Sequence, residues 1–423
     1  MEFKDLYAKA VLKNIVSWNV GTEPTPDSYI AEELAKMDYI KSLKAFIETN
    51  PEHIVSVFSK DSIFSDELDL KSIQIEQKIW QKYQEMKKTK APADEAYFDL
   101  FDQMVAVTKE KLQSKNIKPT DLMFFNDKRL GDPSFVISVV GKMAEISREF
   151  LKVKPKKDIA ARKDFTMDMI TGFMDGFDDL SYKITNNNGS FMTALDTNNA
   201  RVHVAKNKKD IADSASSATH EVGHALYQTR VLNKRTEVGK LGDMISLSLH
   251  ESSSIAHEIA LSGIDFKVRE RVENLYRLGT DKVHYIIHIF IRMKIEEMLF
   301  TDQIKARDIS GVWNQMVEDY IGMTPNNDWE GFLQDVHWNS GAFGYFHSYA
   351  IGFLNAVTMY TEIEEQLTGE WKTDTLDIIL PKIDEWYGHY NEQSHDILKD
   401  MHKDIDKTLV NYKNFIFTRF SYN

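Results

Sequence analysis

The sequence predicts a mainly helical globular fold with one small β-element, and three observations lead there. Apolar residues recur at helical period over most of the chain, as in residues 28–50, where Ile30, Leu34, Met37 and Ile40 return every three or four positions with charges between them. Only nine prolines interrupt 423 residues, which favours long helices. One stretch, residues 186–210, instead sets turn residues around FMTAL and ARVHV, two short runs that alternate at strand period.

Composition sets further bounds. Hydrophobic residues make up 42% of the chain and aromatics 11%, enough apolar surface for a substantial core. Against 52 Lys and Arg stand 65 Asp and Glu, a formal net charge of −13, so nucleic acid and anionic membranes are repelled overall and are not expected partners. The opening MEFKDLYAKAVLKNIV mixes charges into its first positions and lacks the apolar core of an export signal. The apolar run around Ile286 to Ile291 is interrupted by His288 and falls far short of the roughly 20 residues of a membrane span. There is no cysteine, so any metal must be held by His, Asp or Glu, and a cytoplasmic location is expected.

Along the chain no internal repeat, low-complexity tract or clear linker appears. The basic stretch of residues 152–164 reads as a solvated connection between helices. A β-hairpin is expected within residues 186–210, then a helix from about Asp210 to Arg230, then another over residues 243–261.

The helix after the hairpin carries ATHEVGHALYQ, residues 218–228. Residues four apart share a helix face, so His220 and His224 can direct two imidazoles at one ion, about 2.0–2.1 Å from each nitrogen. Glu221, three residues before His224, projects near the same edge, where its carboxylate can take a proton from a metal-bound water. The competing reading is a surface helix with two unrelated histidines. A catalytic zinc site needs a third protein ligand. The next helix offers Glu251, with Glu258 two turns further on and His250 and His257 as rivals, and spacing alone does not choose among them.

These residues resemble the carboxypeptidase Taq family of zinc metallocarboxypeptidases. HEVGHALY and GDMISLSLHESSS match that family's HExGHALY and HESQS; GFLQDVHW (331–338) fits GxxQDxHW; GAFGYFHSYAIGFLNA (341–356) resembles GSFGYFPTYxLG; and DKVHYIIHIFIRMKIEEML (281–299) is similar to its helix with the IR signature. The match runs from about Phe191 to Ala356. It implies a large helical zincin-type metallopeptidase with a deep active-site groove and a small β-sheet next to the HExxH helix. Apart from the resemblance, the catalytic region is expected over residues 186–423, with residues 1–185 as an amino-terminal helical region that is a candidate lid over the groove, the two forming one continuous unit.

The resemblance also implies roles. Glu251 joins His220 and His224 as a ligand to one zinc ion, which cobalt or manganese could replace, and Glu221 is the general base of peptide hydrolysis from the carboxyl terminus. Members of the family usually form homodimers. His337, Tyr345 and Tyr349 are candidate donors to the developing oxyanion, with aromatic packing as the alternative. Arg292 and Arg201 are candidates for the substrate's terminal carboxylate, with a salt bridge as the alternative for Arg292. Asp243 and Asp335 are candidates to orient a histidine.

Several positions depart from the family pattern. DxRxT is replaced by Asn199, Ala200, Arg201, Val202 and His203; Ser253 stands in place of glutamine; His347 and Ser348 replace Pro-Thr; and Ile295 and Glu296 replace an Ala-Asp pair. A divergent hydrolase with an altered substrate preference follows. The rivals are a thimet-type oligoendopeptidase cutting internally and a catalytically silent peptide-binding protein.

Overall fold

A computed structural model gives the architecture and describes residues 3–22, 26–49, 66–127, 129–153, 165–186, 189–196, 199–206, 211–232, 246–262, 267–268, 282–391 and 394–422. In chain order the longer helices and the main strands are α1 (Phe3–Thr22), α2 (Pro26–Thr49), α3 (Asp66–Thr89), α4 (Glu95–Ser114), α5 (Pro133–Val153), α6 (Met167–Met174), β1 (Leu180–Thr185), β2 (Phe191–Asp196), β3 (Asn199–Ala205), α7 (Ile211–Leu226), α8 (Leu247–His257), α9 (Lys282–Phe300), α10 (Ile309–Ile321), α11 (His347–Ile363), α12 (Leu380–Tyr387) and α13 (Ile405–Arg419). The basic stretch from residue 154 onward and Asp243 lie outside the described residues. No described helix is long and apolar enough to cross a membrane.

The chain forms two compact units, each built from three separate stretches. The first takes Met1–Asp66, Ala161–Ile264 and Gly352–Ile397; the second takes Glu67–Ala160, Asp265–Ile351 and Leu398–Asn423. Both units therefore draw on both sides of residue 185. Helix α11 begins in the second and ends in the first.

In the first unit α1 and α2 pair around Leu6, Ala10, Tyr39, Leu43 and Phe46. The expected hairpin is present: β2 and β3 run antiparallel, with Phe191 opposite His203 and Met192 opposite Val202. A third strand joins them. LSYKIT, residues 180–185, pairs parallel to β3 from Leu180 opposite Ala200 to Thr185 opposite Ala205, giving the order β1-β3-β2. Ala200, Val202 and Val204 are fully buried on one face of β3, and Arg201 alternates to the other. Helix α7 packs on β3 and β2, and α8 packs on α7. Ser246 caps α8, its hydroxyl accepting from the Leu249 amide. Both helices run on into a π-helical segment, Tyr227–Leu232 after α7 and Glu258–Ser262 after α8.

In the second unit α5 presents a stripe of Val136, Val139, Val140, Met143 and Phe150 and packs against α9. Each such buried side chain contributes about 1.5–3 kcal/mol relative to exposure. Helix α9 is buried nearly all round, through Val283, Ile286, Ile287, Ile289, Ile291, Ile295 and Leu299, which marks it as a core helix. It also buries His284, His288, Arg292 and Glu296. Their four-residue spacing lines them along one face.

Candidate metal centre

Helix α7 supplies His220, Glu221 and His224, and α8 supplies Glu251. The Nε2 atoms of His220 and His224 lie 3.7 and 3.8 Å from the same atom, Glu251 Oε2. One donor atom from each of the three lies within 4.8 Å of the others. Ligand atoms of a tetrahedral ion bound at about 2.0–2.2 Å stand roughly 3.3–3.5 Å apart, so the cluster fits a divalent cation after small side-chain shifts. Two imidazoles and a carboxylate are also a donor set that binds zinc.

The rivals left open by spacing separate here. Glu258 Oε2 lies 3.2 Å from the other nitrogen of His220, Nδ1, and Glu258 Oε1 accepts from the Ser216 hydroxyl at 2.8 Å. His250 stacks on His224, with ring centroids 4.1 Å apart and planes 14° from parallel. His257 Nδ1 is 2.8 Å from the Ser253 carbonyl oxygen. None of them joins the cluster among the described residues.

Close helix packing makes this convergence possible. A Cβ on Gly223, between the two ligating histidines, would lie 2.7 Å from Ser254 Cα and 3.1 Å from the Ser253 carbonyl oxygen. A Cβ on Gly352 of α11 would lie 2.7 Å from Glu251 Cβ. Glycine at both positions lets backbone approach backbone around the ligands. Ser253, at the position that departs from HESQS, donates to the Gly223 carbonyl at 3.0 Å and is fully buried in this crossing. Ser252 is tied in turn by Asn355 Nδ2 at 3.0 Å.

Burial governs the charges. It holds His224 well below the ordinary histidine range, helped by the neighbouring imidazoles, and keeps His250 down to about 3 and His257 to about 4. A neutral imidazole is the form that ligates metal. For His220 burial also acts downward, but the hydrogen bond to Glu258 and the Glu221 and Glu251 carboxylates raise it above the usual value. Glu221 is pushed up to about 7, chiefly by burial; His220 opposes this, while Glu251 and Glu258 reinforce it.

The sheet residues serve other ends. His203 is fully buried, with Nε2 2.8 Å from the Thr185 hydroxyl and Nδ1 3.0 Å from the Gly189 carbonyl oxygen. It ties β1 to β3 and is not part of the metal cluster. Arg201 sets its guanidinium over the Trp18 ring, 5.7 Å from the centroid.

The remaining expected residues gather in the second unit. Arg292 Nη1 donates to Asp335 Oδ2 at 2.7 Å, and Arg292 Nε donates to the His288 carbonyl at 3.2 Å. With 1% of its surface exposed and its guanidinium 4.3 Å from the Phe346 ring centroid, Arg292 fills the salt-bridge alternative. Asp335 is held down at about 2: burial would raise it, but Arg292 and His337 outweigh that. His337 Nδ1 lies 3.6 Å from Asp335 Oδ1, and its Nε2 lies 3.2 Å from the Tyr349 hydroxyl. Tyr345 stacks on His337 at 6.0 Å. Glu296 accepts from Trp338 Nε1 at 3.0 Å and from the Gly344 amide at 3.1 Å. The polar face of α9 thus pins the irregular segment that carries His337 and Tyr345. His347 Nε2 lies 3.6 Å from Asp127 Oδ2, and both side chains are buried.

The family model described as carboxypeptidase Taq (M32) metallopeptidase matches residues 69–265 and 264–395. The chain belongs to that family. Among curated relatives, carboxypeptidase 1 of Bacillus subtilis is 32% identical over 204 residues, 42% of this chain and 40% of its own. Thermostable carboxypeptidase 1 of Thermus thermophilus is 24% identical over 304 residues, 66% of this chain and 58% of its own. The matched part therefore spans under two thirds of either relative. The solved carboxypeptidase of Pyrococcus furiosus covers 97% of each chain with a TM-score of 0.74 at 18% identity, which shows a shared fold. The mainly helical expectation, with a small sheet beside the HExxH helix, is met.

Proposed function

We propose that this protein is a metal-dependent carboxypeptidase that removes residues from peptide carboxyl termini. One observation carries the reading: His220, His224 and Glu251 bring donor atoms within 4.8 Å of one another, with Glu221 buried beside them. A divalent ion, zinc in this reading, supplies Lewis acidity there and lowers the pKa of water. His220, His224 and Glu251 would hold it.

The chain's own groups do the proton work. Glu221, sitting at about 7, matches a general base working near neutral pH and can pass its proton on to the departing amine. Neutral His224 offers a lone pair. His337, Tyr345 and Tyr349 are assigned as hydrogen-bond donors to the carbonyl oxygen as it gains charge, with Asp335 steadying His337. Arg201 is the arginine assigned to the substrate's free carboxylate. Arg292, committed to Asp335, is assigned to holding that carboxylate and its histidine in place. Homodimeric assembly belongs to the same reading and is checked by sedimentation.

The test is mass spectrometry of products from one unstructured peptide, given with a free and with an amidated carboxyl terminus to zinc-loaded protein. Stepwise loss of terminal residues from the free peptide alone is expected. Internal cuts in both peptides would make it an oligoendopeptidase, and no cleavage with zinc bound would make it a peptide-binding protein. Glu221→Gln is expected to keep the metal and lower turnover by a factor on the order of 10²–10⁴.

A further inference from the structure

The sequence left Glu258 as a rival ligand, but the structure gives it another place. We propose that Glu258 is a positioning residue that fixes the orientation and tautomer of His220. The inference rests on the metal reading above and adds a residue to it.

The two nitrogens of an imidazole point away from each other, so a group bonded to Nδ1 cannot share an ion with Nε2. Glu258 Oε2 is 3.2 Å from His220 Nδ1, while His220 Nε2 faces Glu251 Oε2 at 3.7 Å. With the carboxylate accepting from Nδ1–H, the proton is held at Nδ1 and the Nε2 lone pair is directed toward His224 and Glu251.

Glu258 is itself held. Its Oε1 accepts from Ser216 at 2.8 Å, so each oxygen has its own partner and the carboxylate plane is fixed. Ser216 and His220 are four residues apart and share a face of α7. Glu251 and Glu258 are seven apart, two turns along one face of the second helix, so both reach the same imidazole. Glu258 also opens the π-helical segment after α8, and such segments recur at functional sites. Its side chain is 9% exposed. A buried carboxylate needs this kind of pairing.

A helix-to-helix strut with no bearing on the metal would use the same contacts, so the test must read metal affinity and fold separately. Zn²⁺ affinity is measured on the metal-stripped full chain by competition with a chromophoric chelator, beside urea unfolding of the metal-free protein. Glu258→Gln is expected to weaken Zn²⁺ binding by about 10–100-fold and to change the visible spectrum of the Co²⁺-loaded protein. Ser216→Ala should shift affinity in the same direction by less, with Ser216→Thr restoring it; this pair keeps the idea testable should Glu258→Gln fail to fold. Wild-type affinity in Glu258→Gln, or in Ser216→Ala where the first variant does not fold, would overturn the positioning role and leave the metal reading intact. A wild-type chain that binds Zn²⁺ no better than His224→Ala would overturn both.

Discussion

Arg292 and Asp335 form an ion pair at 2.7 Å with side chains 1% and 0% exposed. Removing one partner of such a pair strands a charge in a low-dielectric interior and costs about 3–5 kcal/mol. Asp335→Ala is therefore expected to destabilise the fold by about that amount, measured by urea unfolding. The double variant Arg292→Met, Asp335→Ala should recover part of the loss, because no unpaired charge remains. A double variant whose loss equals the sum of the losses of Arg292→Met and Asp335→Ala measured singly would mean that the pair does not couple.

Gly223 sits where α7 crosses α8 with no room for a side chain. A Cβ there meets Ser254 Cα at 2.7 Å, an atom of the α8 backbone that cannot swing aside as a flexible side chain could. Gly223→Ala should cost about 1–3 kcal/mol through overpacking and weaken Zn²⁺ binding by pushing α7 from α8. Gly311 of α10 is the control, with nothing within 4 Å of its added Cβ. Gly311→Ala should stabilise by about 0.4–1 kcal/mol by restricting the unfolded chain. Equal behaviour of the two variants in thermal unfolding would remove the close-crossing argument.

How much of this could be read in advance depended on the range of the physics. Helix α9 is legible through its resemblance to the family's IR helix, whereas α2 shows because apolar period is local, and the HExxH spacing places two imidazoles on one face of α7 because i and i+4 share a face. The β2–β3 hairpin is legible for the same reason. Strand β1 is not, because its partner lies twenty residues ahead: Leu180 pairs with Ala200, and nothing in LSYKIT announces a parallel neighbour. Glu258 falls on the right face by spacing, but which nitrogen of His220 it meets depends on how two helices cross. Arg292 reads in the sequence both as a salt bridge and as a carboxylate receptor; its bond to Asp335, 43 residues away, is a long-range contact that local spacing does not announce. His284, His288, Arg292 and Glu296 recur every four residues inside an apolar helix, and that repeat is the sequence signal for a buried polar face.

His402 gives a pH prediction away from the metal. It is 5% exposed, lies 3.3 Å from the Thr408 hydroxyl through Nδ1, and burial lowers its pKa from 6.5 to about 4. Above about pH 6.5 the imidazole is neutral in both folded and unfolded chains, so its contribution to stability is fully present. As pH falls from 6.5 toward 4 the unfolded chain takes up a proton that the folded chain refuses, and stability is lost; below about 4 both states are protonated and the slope from this residue vanishes. The full shift corresponds to an upper bound of roughly 3 kcal/mol. His402→Gln cannot titrate, so its stability should fall less between pH 6.5 and 4 than that of the wild type. Some slope should remain in the variant, because His250 and His257 are lowered in the same way. Urea unfolding at half-unit steps from pH 4 to 7.5 measures the difference, and parallel curves for the two proteins would show that His402 takes its proton as readily in the fold as outside it.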